Sequence, residues 1–205
     1  MAGGGAAASA LASPWRALLQ RALDGNAHLR HSTYFQLATV SSGGRPANRT
    51  VVFRGFQEYS DKIQINTDAR SNKIGEIKSC PFGEICWYFT DSWEQFRISG
   101  SIDVIDGSNS DPNKLQHREK AWFASSVRSR LQYLGPQPGV PVIDHDHVND
   151  VRLDPSAGPV DAFCLLVLDP EKVDYLNLKN NQRLMFRRSR KEDGSDNWMA
   201  EKVSP

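Results

Sequence analysis

The stretch TYFQLATVSSGGRPANRTVVFRGF, residues 33 to 56, decides the reading of the fold. Two runs rich in β-branched and aromatic residues, TYFQLATV and NRTVVFRGF, flank the turn sequence SSGGRP. Short runs of this kind joined by a Gly-Gly turn form an antiparallel hairpin. The second run also raises a chemical question, because Arg49 and Arg54 lie at or near its ends and Arg45 precedes it. A regular strand sends residues five apart to opposite faces, so these two arginines serve different surroundings. Taken alone, the stretch reads most plainly as a solvated edge carrying arginines.

Working outward, the composition limits what those charges can hold. The chain has 205 residues, 39% apolar and 24% charged, with a net charge of +1. It is about one domain long, it is neither disordered in type nor a general polyanion binder, and any anion site is therefore local. Cys80, Cys86 and Cys164 are odd in number and lack zinc-ligand spacing, which predicts a reducing compartment and a cytoplasmic protein. No apolar run reaches the roughly 18 to 20 residues that span a bilayer. The opening MAGGGAAASALAS lacks a basic start and reads as a disordered lead-in over residues 1–13, with an organelle signal as the alternative.

Residues 14–205 read as a single domain. Ser13-Pro14 supplies an N-cap and a first-turn proline, and Trp15, Leu18, Leu19, Ala22 and Leu23 recur at helical spacing up to Gly25-Asn26. KIQINT alternates as a half-buried strand, and SNKIGEIKSC follows as a short helix capped by Ser71. EICWYF and EQFRISGSIDVI form a second antiparallel pair. A helix spans about Leu115 to Ser125, and residues 135–160, rich in Pro, Gly, Asp and His, read as a mobile loop. AFCLLVLDP, KVDYLNLK, QRLMFRR and NWMAEKVSP are again strand-like. About six strands in hairpins with helices at intervals predict a mainly β (α+β) protein, an antiparallel barrel with flanking helices.

The chemistry gathers at NTDARSNK, residues 66 to 73. Thr67, Ser71 and Lys73 bring hydroxyls and an ammonium to a strand-to-helix turn, where free amides and the helix dipole favour an anion. Arginine near such a turn suits a phosphate, which its planar fork can meet with two hydrogen bonds. No Walker or GxGxxG pattern is present. The five histidines, including His145 and His147 in DHDH, lack metal-ligand spacing, and no metal site is expected. No GxSxG, HExxH or Cys/His arrangement points to hydrolysis, so a bound cofactor is expected to carry the chemistry.

These pieces resemble the pyridoxine/pyridoxamine 5′-phosphate oxidase family, FMN-binding split barrels that act as homodimers, and within it the plant pyridoxamine-phosphate-oxidase-like branch. RTVVFRG stands at the family's R-x-V-L-L-K, INTDARSNK at Y-T-N-x-x-S-R-K, and EQFRISG at R-Q-V-R-v-x-G. VDYLNLKNNQRLMFR is similar to V-E-F-W-x-x-x-x-x-R-L-H-D-R with one extra residue, and WMAEKVSP to W-x-x-x-R-L-x-P. The pieces occur in the family's order. The resemblance implies that Arg49 and Lys73 bind the FMN phosphate with Thr67 and Ser71 beside them, that Asn66 and Asn72 belong to the same cofactor site, that Gln95 hydrogen-bonds the flavin ring, and that Leu176 and Arg187 adjoin FMN. It implies that Arg54 lies near both flavin and substrate, and that Arg183 and Met185 face the substrate. Trp122, Arg128 and Arg130 stand in a tract, WFASSVRSR, that loosely matches the family's Y-F-x-x-R-P-R-x-S and its phosphate contacts. Three departures stand out: Asn72 replaces an arginine, Leu176 a tryptophan and Met185 a histidine.

The activity implied is FMN-dependent oxidation of pyridoxine or pyridoxamine 5′-phosphate to pyridoxal 5′-phosphate with oxygen as acceptor. The alternatives are an FMN-dependent oxidoreductase of another small substrate and a non-catalytic flavin-binding protein, since a fold does not fix a function. Neither a nucleic acid nor a membrane is an expected partner.

Overall fold

The computed structural model describes residues 13–141, 152–190 and 196–205. The lead-in up to residue 12 and the middle of the predicted loop, with His145 and His147, lie outside the described residues.

The hairpin that opened the reading forms as expected. Strand β1 (Tyr34–Val40) pairs antiparallel with β2 (Pro46–Phe56), and Gly44 takes a φ of 74° in the turn between them. β3 (Ile63–Asp68) follows on β2, while β4 (Phe82–Phe89) and β5 (Glu94–Ile105) make the second hairpin and β4 joins β1. The last strands are β6 (Phe163–Asn177), β7 (Gln182–Arg190) and β8 (Asp196–Val203). The order β3-β2-β1-β4-β5-β6-β7-β8 is closed by an additional β3–β6 pairing, so six strands form a barrel and β7 and β8 extend from it. The described residues thus hold eight strands where the sequence predicts about six.

The runs AFCLLVLDP and KVDYLNLK, which the sequence divides at Pro170, join in β6. It is one strand of 15 residues: Phe163 to Leu168 pair with β3, and Lys172 to Asn177 pair with β7. A register shift opposite Ser99 and Gly100 takes up the proline, since Gly100 aligns with Pro170 and Ser99 with Lys172, leaving Glu171 as an extra residue. A bulge is where a proline fits inside a paired strand, because its missing N–H leaves no gap in the ladder. The continuous apolar run FCLLVL before it is explained by burial on both faces. Cys164, Leu166 and Leu168 enter the barrel core, and Phe163, Leu165 and Val167 enter a second core with Ala121, Trp122 and Tyr133.

Helix α1 (Pro14–Gly25) buries Trp15, Leu19, Ala22 and Leu23 in the barrel core, with Trp15 edge-on to Trp198 at 5.7 Å. Trp87 lies at the centre of an aromatic chain with Phe35, Phe53 and Phe89, and its indole N–H donates to the Ser32 carbonyl at 2.8 Å. Helix α2 (Asn72–Ser79) seats Ile74 and Ile77 in the same core. Helix α3 (Pro112–Phe123) begins earlier than the apolar spacing predicts. Asp111 caps it by accepting from the Asn113 amide at 2.9 Å, with Pro112 in the first turn. A single-turn helix, α4 (Val127–Leu131), follows. No helix among the described residues is long and apolar enough to cross a membrane.

The described end of the predicted mobile loop is held by α3 and α4. Arg118 donates to the carbonyls of Val160 (2.6 Å) and Phe163 (2.9 Å), the Trp122 indole to Ala157 (2.8 Å), and Arg130 to Pro155 (2.9 Å). Residues 155–163 are therefore fixed to the second core rather than loose.

Gly100 tests the β6 arrangement. A Cβ at this position would sit 2.0 Å from the Asp169 carbonyl oxygen, which is backbone and cannot swing away. Gly100→Ala should destabilise the protein by about 1–3 kcal/mol through overpacking, read as a lower midpoint in thermal unfolding; an unchanged midpoint would mean that the bulge is soft.

Candidate functional site

Two half-buried cations meet where β3 passes into α2. Lys73, on the first turn of α2, donates to Thr67 Oγ1 and to Ser71 Oγ, both at 2.9 Å. Arg49, on β2, reaches Glu76 Oε2 at 2.6 Å, the Leu37 carbonyl at 3.2 Å and the Thr39 hydroxyl. Thr39 in turn donates to Glu76 Oε2 at 2.5 Å. The local sequence dictates this grouping: alternation along β3 sends Thr67 inward, and the three-residue spacing of Lys73 and Glu76 puts both on one helix face.

Ser71 occupies the N-cap position of α2 but makes no side-chain cap. Its hydroxyl donates instead to the Asp68 carbonyl at 2.6 Å and accepts from Lys73. The first amides of α2 are thus left without a side-chain acceptor at the positive end of the helix dipole.

The electrostatics favour a further negative group. Burial, then the nearby Arg49 charge, pushes the Lys73 ammonium below its ordinary value of 10.5, despite Asp68 and Glu76. Burial opposes the Glu76 carboxylate, but hydrogen bonds from Thr39 and Arg49 and the charges of Arg49 and Lys73 outweigh it and hold the group below 4.5. A depressed carboxylate stabilises the fold above its unfolded value, and that contribution is lost as pH falls through the folded one. Two cations, three hydroxyls and open helix amides around one carboxylate make a cradle suited to a phosphate dianion, and the residues present fit the phosphate of a nucleotide cofactor.

The remaining sequence-predicted residues separate into distinct places. Asn72 is exposed at the start of α2. Asn66 neighbours Thr67 but faces the other side of β3, where its amide donates to Ser125 Oγ at 3.0 Å. Arg54 also faces that side, exposed, because a bulge between Phe53 and Phe56 with Gly55 at a φ of 106° follows it. Arg54 and Asn66 line a cavity of about 390 Å³ between β2, β3 and α3.

Gln95, Leu176, Arg183, Met185 and Arg187 lie on β5, β6 and β7, with Gln95 opposite Leu176 and Leu176 opposite Arg183. Arg183 forms a two-pronged pair with Asp174, at 2.9 and 2.7 Å, which holds that carboxylate below its ordinary range. No hydrogen bond joins this group to the cradle among the described residues. Arg128 is exposed. Trp122 and Arg130, expected at a substrate phosphate, are buried in and against the second core, with Arg130 stacked over Trp122. Trp122 Nε1 and Arg130 Nη1 donate to the carbonyls of Ala157 and Pro155, while Arg130 Nε has no partner among the described residues.

The sequence reading missed Thr39 and Glu76. Glu76 was detectable from its helical spacing to Lys73; Thr39 needed the β1–β2 register. It also singled out no thiol, and burial pushes the Cys164 thiol up to about 12 and raises that of Cys86, so neither offers a thiolate at neutral pH.

Comparison with known proteins places the chain among related sequences and folds. Residues 12–106 match the family model described as pyridoxamine 5′-phosphate oxidase, FMN-binding domain. The chain is 61% identical to pyridoxine/pyridoxamine 5′-phosphate oxidase 2 of Arabidopsis thaliana over 193 residues, covering 94% of this chain and 98% of the relative. It superposes on a pyridoxamine 5′-phosphate oxidase-related, FMN-binding protein from Nostoc punctiforme with a TM-score of 0.87 at 39% identity, covering 95% and 99% of the two chains. PhzG from Burkholderia lata shares the fold, with a TM-score of 0.74 at 20% identity over 98% and 97%.

Lys73→Met should weaken FMN binding by roughly 10- to 100-fold, the worth of a charged hydrogen bond, in a titration of flavin fluorescence. In the native protein FMN affinity should fall as pH rises through the Lys73 pKa, which lies below 10.5. An affinity indifferent to both would remove Lys73 from the cradle.

Proposed function

The chain belongs to the pyridoxine/pyridoxamine 5′-phosphate oxidase family, and on that premise we propose that it oxidises pyridoxine or pyridoxamine 5′-phosphate to pyridoxal 5′-phosphate with oxygen as the final acceptor. The observation that carries this reading is the cradle of Arg49, Thr67, Ser71 and Lys73 at the start of α2, within the segment that matches the FMN-binding domain. Bound FMN supplies the two-electron acceptor between the C4′ carbon of the substrate and oxygen, which leaves as hydrogen peroxide.

This chain's own residues bind and orient. Arg49 and Lys73 neutralise the cofactor phosphate, and Glu76 and Thr39 keep the Arg49 guanidinium turned toward it. Asp174 fixes Arg183 by two hydrogen bonds, so that the guanidinium is presented in one orientation to an anionic substrate. No side chain is needed as a nucleophile, in keeping with the raised thiols of Cys86 and Cys164.

Gln95, Leu176, Arg183, Met185 and Arg187 act in this reading from a second copy of the chain, whose β5–β7 face meets the cradle. The separation of that face from the cradle within one chain supports the arrangement, as do exposed Tyr34, Phe82 and Tyr88 on the outer side of β1 and β4. A cytoplasmic, reducing location suits the three free cysteines.

Two measurements test the proposal. Anaerobic addition of pyridoxine 5′-phosphate to the FMN-loaded protein should bleach the flavin's visible absorbance, with colour and pyridoxal 5′-phosphate appearing on exposure to air; flavin that stays oxidised would point to another substrate. Light scattering should give the mass of two chains, and a mass near 22.9 kDa would overturn the shared site.

A further inference from the structure

The turn that brings Ser71 and Lys73 to the cradle is itself held from outside it. Asp68 ends β3, and both its carbonyl and its carboxylate turn to the residues that follow. The carbonyl accepts from the Ser71 amide at 3.1 Å and from the Ser71 hydroxyl at 2.6 Å. The carboxylate accepts from the Arg70 amide at 2.8 Å, and the Arg70 guanidinium closes on it with two more hydrogen bonds, at 3.0 and 2.7 Å. A planar fork on a carboxylate fixes direction as well as distance.

The other edge of the same guanidinium reaches a distant part of the chain. Arg70 Nη1 donates to the Gly135 carbonyl at 3.0 Å and Nη2 to the Tyr133 carbonyl at 3.5 Å, while the Gln137 side chain donates back to the Arg70 carbonyl at 3.5 Å. These residues follow α4, and they are anchored in turn: Tyr133 is buried in the second core, its ring 5.0 Å from that of Phe163. The Ala69 amide adds a hydrogen bond to the Ala162 carbonyl at 2.8 Å. A continuous line of hydrogen bonds thus runs from Lys73 through Ser71, Asp68 and Arg70 to the segment seated on the second core. All three guanidinium nitrogens of Arg70 are engaged along it, so Arg70 supports the cradle from behind and leaves the phosphate to Arg49 and Lys73.

We propose that Arg70 is a positioning residue for the cofactor: it joins the cradle turn to residues 133–137 and so presets Ser71, Lys73 and the first amides of α2 for a phosphate. A turn without this tie must be ordered when the ligand arrives, which costs affinity for the group that the turn meets and not for the rest of the ligand. The inference rests on the reading of the cradle as the FMN phosphate site and is independent of which substrate the flavin oxidises.

The test compares FMN with riboflavin, which carries the same ring system without the phosphate, by titration of flavin fluorescence. Arg70→Met should weaken FMN by roughly three- to tenfold and leave riboflavin unchanged. Arg70→Lys keeps the charge but lacks the fork, and should recover only part of the loss. Because coupling is reciprocal, FMN bound to the native protein should slow amide hydrogen exchange over residues 133–137, riboflavin should not, and Arg70→Met should abolish the effect. An equal loss of both flavins would show a general loosening and overturn the role, as would full recovery by Arg70→Lys or exchange that FMN leaves unaltered. Native protein that binds the two flavins equally well would remove the cradle reading, and Arg70's role with it. A preference for FMN that survives Arg70→Met would remove Arg70's role alone. Failure of pyridoxine 5′-phosphate to bleach the flavin bears on the substrate and leaves these outcomes as they are.

Discussion

The architecture depends on β6, which pairs with β5 along its length and with two further strands in turn. A strand of 15 residues with β3 along its first half and β7 along its second closes the barrel at one end and opens it into an extension at the other. Pro170 and the extra Glu171 make the change of partner, and Gly100 permits it by leaving room for the Asp169 carbonyl. Because the first half is buried on both faces, it also joins the barrel core to the second core under α3. The cradle on β3, the cavity outside β2 and β3 and the Asp174–Arg183 pair on β6 and β7 all take their positions from this strand and its neighbours.

Charge in this molecule is local. The net charge is only +1, and several arginines are occupied among the described residues: Arg70 by Asp68, Arg183 by Asp174, Arg118 and Arg130 by backbone carbonyls. What distinguishes the start of α2 is a surplus. Arg49 and Lys73 both lie beside Glu76, and burial with the neighbouring Arg49 charge disfavours the Lys73 ammonium, which a bound anion would favour. This segment lies within the match to the FMN-binding domain, and in the proposed reading the cofactor phosphate meets that surplus. The face of β2 and β3 opposite Thr67 carries a second, more exposed set of cations, and the bulge at Gly55 sets how the end of β2 presents them.

Local signals in the sequence were sufficient for the hairpins, α1, α2 and the NTDARSNK turn. Strand alternation, a Gly-Gly turn and a Ser-Pro helix start act within a few residues. The start of α3 was also written locally, in Asp111 and Pro112, but the apolar spacing drew the boundary inward. Pro170 misled for a physical reason: a proline ends most strands, and only the glycine on the neighbouring strand shows that this one continues. Trp122 and Arg130 misled because the sequence gives their chemistry without their direction, and the segment that covers them is distant along the chain.

By itself, the sequence determined the residue types of the cradle, the strand-to-helix turn that holds Lys73 and Ser71, and the order of motifs that the family shares. These rest on short-range geometry and on side-chain chemistry, which need no knowledge of the rest of the chain. Only the tertiary structure decided that Thr39 and Glu76 complete the cradle and that Asn66 turns away from it. It alone shows that β6 is one strand and that His117 and Lys120 face Arg54 across a cavity. Those facts depend on register, on a single-residue bulge and on the packing of α3 over distant strands, and a shift of one residue in any of them would send the same side chains to the opposite face.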